Sequence, residues 1–79
     1  MKEPKNIIMT EHLKIIQYDN VLDITDKKSL DQTIIRKNSI ISIQNRDDKI
    51  IIDLINGIEF YLDRDIDVWV TLIEWIRDN

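Results

Sequence analysis

At 79 residues, with 43% apolar and 33% charged side chains, the chain has the material for one small globular domain, residues 1–79, and lacks the composition of a disordered tail. Eleven Lys and Arg against 15 Asp and Glu leave a net charge of −4, which argues against a protein whose main work is neutralising nucleic-acid phosphates. The absence of Cys removes disulfides, thiolate nucleophiles and cysteine-based zinc sites, and a single His and a single Gly leave little for metal-ligand sets or Gly-rich phosphate loops.

Isoleucine supplies 18 residues, while Leu supplies six, Val three and Ala none. That bias, with abundant Lys, Asn and Asp, is the codon signature of an AT-rich genome, such as a low-GC bacterium or its phage. Physically, the branched Cβ of Ile restricts χ1 and suits the pleated surface of a strand. A mostly β domain is expected.

Residues 1–6 read as a loose, polar leader holding the only Pro. From Ile7 to Tyr18 strand and helix periodicities overlap, and a strand over 12–18 is favoured because Asp19-Asn20 supplies a turn before a second strand, Val21–Thr25. Ser29-Leu30-Asp31-Gln32 has the spacing of a capping box, so a short helical turn is expected ahead of Thr33-Ile34-Ile35. Ser39–Gln44 is the next strand, closed by a turn over 45–48.

Lys49–Ile55, Asn56-Gly57 and Ile58–Asp63 read as a hairpin with a two-residue type I′ turn. That register sets Ile55 opposite Ile58, Asp53 opposite Phe60 and Ile51 opposite Leu62. Asp53 then stands in an apolar row, where a carboxylate should find a cation or lie at the uncovered sheet edge, and a structural ion pair with Arg36, Arg46 or Arg64 is expected.

The last element is a helix from Ile66 to Arg77, with Asp65 as its N-cap and Asp67 in its first turn. Its apolar residues cover an arc of roughly 220°, about twice what one packed face requires. Val68, Leu72 and Trp75 are expected to form the half that meets a partner, joined by Tyr61. The expected architecture is α+β: a small antiparallel sheet of about four or five strands with this C-terminal helix packed on one face.

Several constellations invite chemistry. Asp63, Asp65, Asp67 and Glu74 match positions one, three, five and twelve of a calcium loop, but Val68 stands where the sharp turn needs Gly, so turn and capping roles are the better reading. His12 beside Glu11 lacks a nucleophile to serve. Asp47-Asp48 are ordinary turn residues.

No catalytic residue, cofactor or metal is nominated, and an enzyme is not expected. Too short a run of apolar residues is present for a membrane span, and a cytoplasmic protein is expected. The expected function is non-enzymatic binding to another protein chain, by self-association into a homo-oligomer or by docking on a host protein. By analogy of size and charge, the setting is a phage or mobile-element inhibitor or regulator. Direct nucleic-acid binding and membrane partners are not expected. The alternative is an oligomeric sponge that holds a nucleotide-like ligand with Arg36, Arg46, Arg64 and Tyr18 at subunit interfaces.

Overall fold

The computed structural model describes residues 3–78. In chain order they form β1 (Asn6–Met9), β2 (Leu13–Gln17), β3 (Val21–Asp26), β4 (Gln32–Arg36), a 3-10 turn (Lys37–Ser39), β5 (Ile40–Arg46), β6 (Lys49–Leu54), β7 (Glu59–Asp63) and α1 (Ile66–Arg77). The fold is α+β. The strands make two antiparallel sheets, β1-β2-β3-β4 and β5-β6-β7, somewhat more than the four or five strands expected. The chain divides into two compact units, one up to Lys37 and one from Asn38 on.

In the first unit, strand alternation sorts the side chains cleanly. Ile15, Gln17, Leu22, Ile24 and Ile35 are buried. The opposite face carries the cross-strand row Ile7–Ile16–Asp23–Ile34. Gln32 Nε2 lies 2.9 Å from both carboxylate oxygens of Asp23, anchoring the one charge in that row.

Two expectations fail in this unit. Of the leader, Met1 and Lys2 lie outside the described residues, but Asn6 opens β1 and the Lys5 amide donates to the Gln17 carbonyl at 2.6 Å. The capping box does not start a helix. Ser29 Oγ accepts from the Asp31 amide, Asp26 takes the amides of Lys28 and Ser29 at 2.9 Å each, and the loop returns directly into β4. The β-branched run Thr33-Ile34-Ile35 prefers the strand, where Ile35 reaches the core. The turn forces Leu30 into the left-handed region at φ 65°.

In the second unit, β6 is the central strand, and its consecutive Ile50, Ile51 and Ile52 are all buried. The β6–β7 register differs from expectation by one residue: Ile50 faces Leu62, Ile51 faces Tyr61, Ile52 faces Phe60 and Asp53 faces Glu59. The loop has three residues, not two. The Gly57 amide donates to the Leu54 carbonyl, the Leu54 amide donates to the Ile58 carbonyl, and only Gly57 takes positive φ, at 85°. This is a tight turn followed by a glycine bulge, for which Asn-Gly is equally suited.

A one-residue slip turns every side chain over relative to its partner. Asp53 therefore does not share a row with Phe60. It stands on a polar face with Ser42, Gln44 and Glu59, while Ile43, Ile52 and Phe60 occupy the other face. On that apolar face Asn45 lies opposite Ile50, and its Oδ1 is buried without a hydrogen-bond partner. A bulge between Ile40 and Ser42 leaves Ile41 outside the ladder.

Candidate interaction surface

The helix begins where the sequence says it should. Asp65 is extended, and its Oδ1 accepts the amides of Asp67 at 2.9 Å and Val68 at 3.2 Å, satisfying two of the free donors at the N-terminus. Asp67 in the first turn and Arg77 in the last complement the helix dipole.

Its apolar arc splits into two stripes. Val68, Leu72 and Trp75 are only 2%, 0% and 4% exposed, so they belong to the protein's own core. They cannot be the partner-facing half assigned to them from the sequence. The mirror stripe, about 180° around the helix, recurs with the same spacing at Ile66, Val70 and Ile73. Ile66 is 69% and Val70 46% exposed, and Trp69 and Ile73 are half-buried beside them. Asp67 and Glu74, both exposed, run along one side of this stripe, and Arg77 closes its C-terminal end.

A second apolar cluster was not legible from the sequence. The Ile55 amide donates to the Ser39 carbonyl at 2.8 Å, and Ile40 pairs with Leu54. These contacts gather Ile41, Ile55 and Ile58, each more than half exposed, at one end of the β5–β6–β7 sheet. The signal was isoleucine at turn positions that polar residues normally fill.

The face that carries Asp53, which it shares with the buried Ile51, is lined by side-chain hydrogen bonds. Asp53 Oδ2 accepts from Ser42 Oγ at 2.6 Å and Gln44 Nε2 at 2.8 Å. These bonds, Ser42 first, hold the Asp53 carboxyl below the usual carboxylate range, with Arg46 adding a weaker pull through its charge. The expected arginine ion pair is thus replaced by neutral donors. Tyr61, expected at the interface, is exposed on this face, and its hydroxyl donates to Glu59 Oε1 at 3.1 Å, which pushes the phenol pKa up. His12 lies in the first unit, exposed, 3.8 Å from Glu11.

The residues proposed to hold a small anion fall two in each unit. Tyr18 and Arg36 belong to the first unit, where they flank Val21. Arg46 and Arg64 belong to the second, around the Asp47-Asp48 turn, and acids interleave with them. Arg64 Nη1 donates to the Asp47 carbonyl at 2.6 Å, and Lys49 Nζ sits 2.7 Å from Asp63. The calcium spacing is likewise consumed by structure, since Asp63 pairs with Lys49 and Asp65 caps the helix. Among the described residues, no group of three or more His, Asp or Glu is arranged to hold a metal, and no helix is long and apolar enough to cross a membrane.

Comparison with protein-family models, with curated protein sequences and with solved structures finds no match, so function has to be argued from the chain's own surface.

Proposed function

We propose that this chain is a non-enzymatic protein-binding module that docks through the outward stripe of α1, Ile66, Val70 and Ile73 with Trp69 alongside. One observation supports it: the helix carries two apolar stripes of equal spacing, and only Val68, Leu72 and Trp75 are enclosed. A helix that needed one packed face would place polar residues at positions 66 and 70. Trp is the side chain most enriched at binding hot spots, and a helix presents it on a rigid support. The setting proposed with it is a cytoplasmic inhibitor or regulator of a host protein. The nucleotide-sponge reading has less support, because the acids Asp47, Asp48 and Asp63 lie beside Arg46 and Arg64 in the chain.

Photocrosslinking in the native cell tests this. A photoreactive residue replacing Val70 is expected to give a discrete crosslinked protein that disappears when Ile66→Lys is added. Crosslinks from position 55 alone would move the surface to the isoleucine cluster, and none from position 70 would overturn the docking proposal.

A further inference from the structure

Resting on that docking surface, we infer that its occupant is a basic, amphipathic segment of another protein and not a second copy of this chain. Charge is divided very unequally between the two units. From Asn38 on there are four basic and nine acidic residues, net −5, whereas the residues up to Lys37 carry seven and six, net +1. The helix stripe lies in the acidic unit. Asp67 in its first turn and Glu74 two turns further on border it, and Asp63 and Asp65 lead into it.

An isologous dimer formed by laying α1 antiparallel on its copy would bring Asp67 of each chain beside Glu74 of the other. It would also join two units of net charge −5, and like charges set against each other at an interface are a cost. A partner helix or strand with apolar residues at its centre and Lys or Arg along one border meets none of these penalties. It pairs with the acidic border, and long-range attraction speeds its arrival. Arg77, the stripe's one cation, lies at its C-terminal end, so the basic border should run along the Asp67–Glu74 side.

The experiment uses the full chain with two synthetic probes: an amphipathic leucine–lysine peptide and a leucine–glutamate peptide of identical apolar spacing. Titration calorimetry and Trp fluorescence report binding, and sedimentation reports self-association. The lysine peptide should bind, weaken steeply with salt, and lose about tenfold or more in affinity in the Asp67→Lys, Glu74→Lys variant, which corresponds to about 1.4 kcal/mol. The glutamate peptide should not bind. Equal binding of both peptides, or an unchanged affinity in the charge-reversed variant, overturns the basic-partner inference while leaving the apolar stripe intact as a docking site. A concentration-dependent dimer broken by Val70→Lys does the same, since the occupant is then a second copy. Binding of the lysine peptide that survives both Val70→Lys and Ile66→Ser places it elsewhere and removes the docking surface itself. Failure of both peptides without any dimer overturns the inference as well. Both apolar positions are exposed, so circular dichroism should show their variants folded.

Discussion

Leu30 is the residue whose conformation fits its chemistry least. An L-residue with a Cβ in the left-handed region pays roughly 1–2 kcal/mol, and Leu30 at φ 65° is also exposed, so no burial offsets the cost. The Asp26 carboxylate and carbonyl hold the loop closed around it, accepting from Lys28, Ser29 and the Leu30 amide. Leu30→Gly should therefore raise stability by about 0.5–1 kcal/mol, after the greater chain entropy of Gly is counted. Leu30→Val, β-branched, should lower it. Urea midpoints for both variants check this, and shifts of the same sign would show that φ is not the constraint.

Asp53 carries the pH dependence expected of this fold. Its folded pKa lies below the ordinary 3.8, because Ser42 and Gln44 donate to the charged form. The stability it contributes is complete above 3.8 and drains away as pH falls through the folded value. Asp26 behaves in the same direction, held down by the Ser29 and Lys28 amides. Acid denaturation should accordingly steepen below pH 3.8, and Asp53→Asn should flatten that slope. An unchanged acid limb in the variant would mean that the carboxylate gains nothing from its donors.

Among the elements, α1 was the most legible and also the most misleading. Its limits at Ile66 and Arg77 follow from the Asp65 cap and the apolar run, and the structure agrees with both. Which half faces inward was not legible, because Val68, Leu72, Trp75 and Ile66, Val70, Ile73 have the same spacing and similar hydrophobicity. Trp75→Asp should unfold the protein, since it puts an unpaired charge where the side chain is 4% exposed. Val70→Lys should leave the melting temperature nearly unchanged. Thermal melts of the pair decide the assignment, and a folded Trp75→Asp protein would reverse it.

The hairpin failed for a different reason. Asn-Gly serves both a two-residue I′ turn and a three-residue turn with a glycine bulge. With Ile at 50, 51, 52, 55 and 58, either register brings apolar residues together, so pattern alone could not choose. The observed register sets Asp53 opposite Glu59 and leaves Phe60 opposite Ile52, whereas the other would set the carboxylate opposite Phe60. The strand β4 was hidden behind the false capping box, whose Ser29 turned out to brace a loop.

At the scale of the whole chain, the net charge of −4 conceals more than it shows, because it averages a unit of +1 and a unit of −5. The boundary at Lys37–Asn38 carries no Gly or Pro, which is why the sequence reads as undivided. Acids gathered in the second unit cover turns, cap the helix and border its outward stripe, so most already have a local role.

The outermost strand β5 carries one residue that its neighbour does not need. If Ile41 were deleted, Ile40 would still meet Leu54 and Ser42 would still meet Asp53, so the ladder would simply close up. Such a shortened chain should keep its circular dichroism spectrum yet scatter light at lower protein concentration, because a straight, unbroken margin invites other molecules to add on. Loss of the spectrum instead would make the kink essential for folding. The extra isoleucine is then a guard for solubility, achieved by shape where other proteins would use a lysine.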